Sequence, residues 1–278
     1  MALRINTNVQ SLAAQRALST NYDNQNRSLE RLSSGNRINR AGDDAAGLAI
    51  SEKLKAHIRS MKQAYRNAQD GISLVQVSEG AMNEISNILI RLRELSIQGS
   101  SDTIGDTERG FINKEVTALK NEVDRIAGST EFNGRRLLDG SEDNMDIQVG
   151  IHNNPFLDRF TYNGKEMATS LKSLKLEDVD TSKKELAQAN LDKLDDAITH
   201  INESRSAMGA IQNRIQSTMN NLQIYRENLE AANSRIRDTD MAEETAELTK
   251  NNILTQSTVS VLGQANNNAN SVLKLIGG

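Results

Sequence analysis

The chain has 278 residues, 37% of them hydrophobic and only 3% aromatic, with 33 Lys and Arg against 37 Asp and Glu and a net charge of −4. This is thin material for one large central core, and basic residues scattered among acids do not form the concentrated positive surface that phosphate backbones require, so nucleic acid is not an expected ligand. The absence of cysteine removes disulfides, thiol nucleophiles and thiolate metal ligands together. One proline and 17 glycines leave long uninterrupted segments, which favours an elongated, mainly α molecule whose helices share narrow seams. Nothing approaches the roughly 18 consecutive apolar residues of a membrane span. The start, Met1-Ala-Leu-Arg-Ile-Asn-Thr-Asn8, lacks an apolar signal core, so any export is expected to bypass ordinary signal peptides.

From the amino terminus, Ile5, Val9 and Leu12, then Leu29 and Leu32, recur at helical spacing among Asn, Gln, Ser and Arg. A helix with so sparse a stripe is marginal on its own. Ser33-Ser34-Gly35 and Ala41-Gly42 bracket a linker. Asp43-Asp44 then predicts a helix start, because a carboxylate there accepts orphan backbone N–H groups and complements the positive dipole end. This second helix is expected to run to about Gln98, with Leu54, Met61, Ala68, Val75, Met82 and Leu89 at every seventh place and Ile85 and Leu92 as later side partners. Gly99 to Asp106 reads as a turn. Ile112, Val116, Leu119, Val123 and Ile126 predict a shorter amphipathic helix ending near Gly128, the third wall of a bundle.

From Glu131 to Ser170 turn signals dominate: Asn133-Gly134, Asp139-Gly140, Pro155 and Asn163-Gly164. Met145, Ile147, Val149 and Ile151 alternate with polar residues, and Phe156, Phe160 and Tyr162 follow the proline, so a β-hairpin is expected within 141–175. Ser182-Lys-Lys-Glu185 fits a capping box opening the longest helix. Its seam reads Leu194, Ile201, Met208, Ile215, Leu222, Leu229 and Ile236, with side partners moving from Leu191 and Ile198 to Ile211, Tyr225 and Ala232. A strict 3.5-residue repeat would not drift, which points to a nearly straight helix packing against different neighbours at its two ends. Such a rod, roughly 70 Å long at 1.5 Å per residue, needs a partner rod.

Beyond Ile236 the stripe weakens again, through Leu248, Val259, Leu262, Leu273 and Ile276. Both chain ends are helical in period and too polar to hold themselves, so they are expected to fold together and to be completed by copies of the chain. No catalytic constellation emerges. His57, His152 and His200 are far apart in sequence and none sits in His-Glu-x-x-His, so no metal set or cofactor is expected. Asp43-Asp44 is explained by capping, Asp195-Asp196 by a solvated face, the methionines by core filling, and Arg91 with Glu94 by an i, i+3 surface pair.

The segment Asn26-Arg-Ser-Leu-Glu-Arg-Leu-Ser-Ser-Gly-Asn-Arg-Ile-Asn-Arg-Ala-Gly-Asp-Asp-Ala-Ala-Gly-Leu-Ala-Ile50 resembles the amino-terminal signature of bacterial flagellins. Ser234-Arg-Ile-Arg-Asp-Thr-Asp-Met-Ala-Glu-Glu244 and Ser260-Val-Leu-Gly-Gln-Ala265 resemble the carboxy-terminal one. The resemblance implies a subunit that polymerises into the extracellular propeller filament of a motile bacterium. Terminal helices 1–43 and 239–278 would form an inner coiled coil packed through Ile5, Val9, Leu12, Leu29, Leu32, Leu248, Val259, Leu262, Leu273 and Ile276. A helical bundle would comprise 44–140 and 176–238, and 141–175 would stand where larger flagellins carry outer domains. Implied partners are many copies of the chain, a flagellar type III export apparatus, a flagellin export chaperone, and the filament cap and hook-associated proteins. Arg91-Leu-Arg-Glu-Leu-Ser-Ile-Gln98 resembles the segment recognised in many flagellins by host Toll-like receptor 5, which places candidate recognition at Arg91, Leu95 and Glu115, with Ile90 where glutamine is usual. Met241 stands where an aromatic is frequent, and Asn268-Ala-Asn lies where a proline is usual. A hook–filament junction protein is the alternative within the flagellum; outside it stand a soluble coiled-coil adaptor and an enzyme of unknown type.

Overall fold

The computed structural model describes residues 7–141 and 143–276, with side chains through residue 267. Along the chain run α1 (Val9–Ser34), α2 (Ala45–Gly99), α3 (Asp106–Ser129), strands β1 (Glu131–Phe132), β2 (Arg135–Arg136), β3 (Met145–Gln148) and β4 (Arg159–Tyr162), then α4 (Lys184–Arg237) and α5 (Met241–Ile276). Two compact units divide it: His57–Glu227, and Met1–Ala56 with Asn228–Gly278. Segments of α2 and α4 belong to each.

In the unit His57–Glu227, α2, α3 and α4 pack by their apolar stripes. Val75, Met82, Ile85, Leu89 and Leu92 of α2 meet Val116 and Val123 of α3 and Leu194, Ile201 and Met208 of α4 in one buried cluster. The turn after α2 is closed by Arg109, which donates Nε to Gly99 O at 2.9 Å and Nη2 to Ser101 O at 2.8 Å. A cation on terminal carbonyls complements the negative end of the helix dipole. Asp106 and Glu108, in the first turn of α3, complement the positive end of that helix's dipole.

Strands β3 and β4 pair antiparallel, Met145 opposite Tyr162 and Ile147 opposite Phe160. Met145, Phe160 and Tyr162 turn inward while Asp146 and Thr161 face solvent, the period-two alternation of a one-sided sheet. Ala68 of α2 and Ile215 and Met219 of α4 cover Val149 and Phe160 in a second buried cluster. Asn67 Nδ2 donates to Gln148 O at 3.0 Å, which ties the hairpin to α2. Residues 149–158 form its connection, so Ile151 lies outside the ladder.

Several local expectations are corrected. A second, smaller hairpin, β1–β2, turns at Asn133 and Gly134, both at positive φ (52° and 78°), the geometry that favours an Asn-Gly pair. Residues 163–182 form no strand, yet Met167, Leu174, Leu176 and Val179 are buried in the main cluster, so this segment is a strap across the bundle. The capping box at Ser182 is displaced. Ala187 N–H bonds to Lys183 O, and Ser182 N–H goes to Asp180 Oδ1 at 2.7 Å, leaving Ser182 just outside α4. Met61, Val75, Met82, Leu89, Leu194, Ile201, Met208 and Ile215 are buried, but Leu54, Leu222, Leu229 and Ile236 are only half-buried and Tyr225 is exposed. The buried clusters supplied by α3, the hairpin and the strap reach no farther along α4 than Met219; beyond it a helix with fewer neighbours leaves its seam half open.

In the other unit, α1 runs antiparallel beside α5. Asn8 opens α1 by accepting Ser11 N–H at 3.0 Å, and Asp240 opens α5 by accepting Ala242 N–H at 2.8 Å. Gly35, at φ 69°, ends α1 with its N–H on Arg31 O. The two linkers are stapled: Arg37 N–H donates to Arg237 O at 2.6 Å and Thr239 N–H to Gly35 O at 3.0 Å, a single antiparallel bridge between Asn36 and Asp238. Asp44 Oδ1 caps α2 through Gly47 N–H at 2.8 Å. Its neighbour Asp43 instead accepts Arg40 and Asn39 N–H groups, which hold its carboxyl below the ordinary value.

Candidate assembly surface and recognition patch

The seam between α1 and α5 is polar. Ser11, Ala14 and Ser28 of α1 and Asn251, Thr255 and Ala265 of α5 are its buried residues. Across it Asn8 Nδ2 donates to Ala265 O at 3.0 Å, Ser11 Oγ to Asn266 Oδ1 at 2.9 Å, Asn21 Nδ2 to Thr258 Oγ1 at 3.0 Å and Gln25 Nε2 to Asn252 Oδ1 at 2.5 Å. Arg31 reaches Glu244 at 3.4 Å, nearer the staple. Small and hydrogen-bonding side chains let the two backbones approach closely and specify register, but they bury little apolar area.

Half-buried Leu18, Leu32, Leu248 and Leu262 line the same seam, but many of the larger apolar residues face outward. Leu12 is 50% exposed and Val259 48%, and Val9, Leu29, Ile253, Leu254 and Val261 are exposed with them. Of the ten residues assigned to filament-core packing, Leu32, Leu248 and Leu262 are half-buried, while Val9, Leu12, Leu29 and Val259 are exposed. Ile5 lies outside the described residues, as do the side chains of Leu273 and Ile276. An outward apolar stripe on a helix pair whose inner seam is polar reverses the pattern of a self-sufficient hairpin. Hydropathy located these residues and the half-buried leucines of the seam, but not its buried Ser11, Ser28, Asn251 and Thr255, which give no apolar signal.

The second patch lies on α2 and α3. Arg91 Nε and Nη2 donate to Glu115 Oε1 at 3.0 and 2.9 Å, and Arg91 Nη1 to Glu94 at 3.0 Å. Hydrogen bonds from Glu115 first, then Glu94, raise the guanidinium pKa above its ordinary value. The structure therefore brings Arg91 and Glu115 together on the surface, but it buries Leu95, 2% exposed, inside the main cluster. Ile90 is exposed beside them.

The histidines are not all separated, as their sequence spacing suggested. The rings of His57 and His152 meet edge to face at 6.2 Å. Among the described residues no group of three or more His, Asp or Glu side chains converges as a metal would require, and no helix is long and apolar enough to cross a membrane.

Comparison with known proteins places this architecture. Residues 5–143 match the family described as the bacterial flagellin N-terminal helical region, and residues 191–276 match the C-terminal helical region. The chain is 43% identical to a flagellin of Halalkalibacterium halodurans over 98% of its own length and 99% of that protein. It is also 43% identical to the flagellar filament 30.7 kDa core protein of Treponema maltophilum, again over 98% and 99% of the two chains. Among solved structures, Bacillus cereus flagellin matches with 34% identity and a TM-score of 0.50 over 56% of this chain and 88% of that one. With both helical regions matched in order and nearly the whole length aligned, the chain belongs to the bacterial flagellins.

Proposed function

We propose that this protein is the structural subunit of a bacterial flagellar filament, the extracellular propeller of a swimming cell, and that it polymerises through the outward apolar faces of α1 and α5. The observation that carries the mechanism is the reversed helix pair. Leu12, Leu29, Ile253 and Val259 stand in solvent while Ser11, Ser28, Asn251 and Thr255 occupy the seam. Covering the outer residues with other copies removes apolar area from water and adds the stability the polar seam lacks. Full-length identity to flagellins and to a filament core protein favours the filament subunit over a hook–filament junction protein. We read the protein as structural rather than catalytic, in keeping with that family.

The terminal segments 1–43 and 239–278 are the proposed filament core, and 44–140 with 176–238 the surrounding bundle. A marginal helix pair suits passage as an unfolded chain through a type III export apparatus with a dedicated chaperone, and assembly beneath a cap on hook-associated proteins. Contact with Toll-like receptor 5 is a narrower proposal. It rests on exposed Arg91 and Glu115, with Leu95 supporting the helix beneath rather than touching the receptor. Seeded polymerisation followed by sedimentation and electron microscopy tests the main function: intact chains should form filaments, and chains lacking 1–43 or 239–278 should not. Filament growth by either trimmed chain would refute it.

A further inference from the structure

His57 stands half-buried on α2, and His152 lies exposed in the connection between β3 and β4. Their rings meet edge to face with centroids 6.2 Å apart. The backbone that carries His152 descends along α2 and is pinned to it. Ile147 packs 3.0 Å from the place a Cβ would occupy on Gly71, and Asn67 Nδ2 donates to Gln148 O at 3.0 Å. Gln148 Nε2 then donates to the Gly150 and His152 carbonyls at 3.0 and 2.8 Å. Asp158 closes the connection, accepting Val149 and Gly150 N–H on its carbonyl and Asn154 N–H on its carboxylate. A hydrogen-bonded loop thus holds His152 against His57.

We propose that His57 and His152 form a two-histidine site for a borderline divalent cation, Zn²⁺, Ni²⁺ or Cu²⁺, which clamps the β3–β4 connection to α2. With metal–nitrogen distances of about 2.0–2.1 Å, two imidazoles sharing one ion have ring centroids roughly 5–6.5 Å apart. The pair already stands in that range. Turning either ring about χ2, a soft and broad torsion, aims a nitrogen at the shared point. Among the described residues no carboxylate completes a group of three with them, so Mg²⁺ and Ca²⁺, which need several oxygen ligands, are not bound there. Imidazole nitrogen suits the borderline ions, with Cu²⁺ held tightest. A closed structural site takes four protein ligands. This one has two, and because His152 is exposed, water supplies the rest. The ion therefore exchanges with solvent, and it binds only while both imidazoles are unprotonated.

Calorimetric titration of Ni²⁺ into the full-length monomer tests the site, with His57→Gln, His152→Gln and His200→Gln chains run beside it. Wild type and His200→Gln should each take up one ion per chain with the same affinity. His57→Gln and His152→Gln should each bind at least about tenfold more weakly. The double variant should be no weaker than either single one, because losing one imidazole already breaks the chelate. Undiminished binding by His152→Gln, a change at an exposed position that leaves the core untouched, overturns the proposal. So does the lack of saturable binding by wild type, or an equal loss in His200→Gln.

Amide exchange gives a second readout, specific to the clamp. The connection must open for His152 to leave His57, and an ion bound only to the closed form slows that opening by mass action. With Ni²⁺ at about a hundred times its Kd, exchange at Val149, Gly150 and Asn154 should slow by about a hundredfold in wild type and stay unchanged in His152→Gln. Exchange there that Ni²⁺ leaves untouched in wild type would mean that the ion does not bridge the two histidines, and would overturn the clamp. Neither histidine lies on α1 or α5, so the proposal stands apart from the filament reading.

Discussion

Ile38 Cδ1 lies 2.8 Å from the place a Cβ would occupy on Gly47, and Asp44 Oδ2 lies 2.4 Å from the same point. The bare first turn of α2 is what lets the linker's one deeply buried residue, Ile38 at 2% exposure, sit against it while Asp44 caps the helix. In an open helix Gly→Ala would stabilise by about 1 kcal/mol. Here the added methyl must displace both neighbours, and overpacking of this kind costs about 1–3 kcal/mol. Gly47→Ala should therefore lower stability and speed amide exchange in 35–44. A variant at least as stable as wild type by urea unfolding would show that Ile38 moves freely.

Tyr162 donates its hydroxyl to Leu137 O at 2.7 Å from inside the core, and burial pushes the phenol up to about 12. The folded state thus holds a proton that the unfolded chain, at about 10, releases. Its contribution is intact below pH ~10 and is lost as the pH rises from about 10 to 12, on the order of 2–3 kcal/mol in all. Tyr162→Phe should cost about 1–3 kcal/mol at neutral pH by leaving the carbonyl unpaired, and should flatten the alkaline decline. Parallel alkaline curves for the two proteins would remove Tyr162 from that decline.

At the patch proposed for receptor contact, substitutions of Arg91 and Leu95 should separate by kind. Arg91→Ala removes an exposed ion pair, so thermal unfolding should barely shift. Leu95→Ala opens a cavity in the core and should cost about 2–5 kcal/mol. Receptor-binding assays run beside denaturant titrations would reveal whether any loss at Leu95 follows unfolding. A strong binding defect in a Leu95 variant of wild-type stability would show that the side chain leaves the core to make contact.

Assembly and stability should part company in the same way. Val259→Asp places a charge on an exposed position, so the monomer should unfold as wild type does while polymer yield collapses. Met82→Ala, at a fully buried site, should destabilise the monomer by about 2–5 kcal/mol. Normal polymerisation by the Val259 variant would mean that this face of α5 stays in water in the filament.

Much of this architecture was legible in the sequence because burial and helical period coincide there. Met61, Val75, Met82 and Leu194 to Ile215 are apolar at every seventh place and buried in the fold. Where those two signals separate, the sequence is less informative. Val9, Leu12, Leu29 and Val259 have the period of a seam, yet hydropathy does not say whether a stripe meets its own chain or another one. The most deeply buried positions of the intramolecular seam are chiefly Ser, Asn, Thr and Ala, which an apolar count does not single out. Leu174, Leu176 and Val179 bury themselves without any period because a strap follows the contour of the bundle instead of a helix. On α2, spacing placed Arg91 and Leu95 one turn apart, but only packing against α3 and α4 decides that one faces water and the other the core.

Peptide-resolved amide exchange, measured on monomer and on sedimented polymer, reports local opening directly. A helix pair joined by a polar seam should open readily in the monomer, so residues 9–34 and 241–267 should exchange fast there, with protection rising toward the Asn36–Asp238 staple and strongest in α2 and α4 of the bundle. In the polymer the same peptides should become protected by about a hundredfold or more, the scale of a few kcal/mol of added apolar burial. Terminal helices already protected in the monomer, and unchanged on assembly, would mean that α1 and α5 form a self-sufficient pair and that the filament is built on another surface.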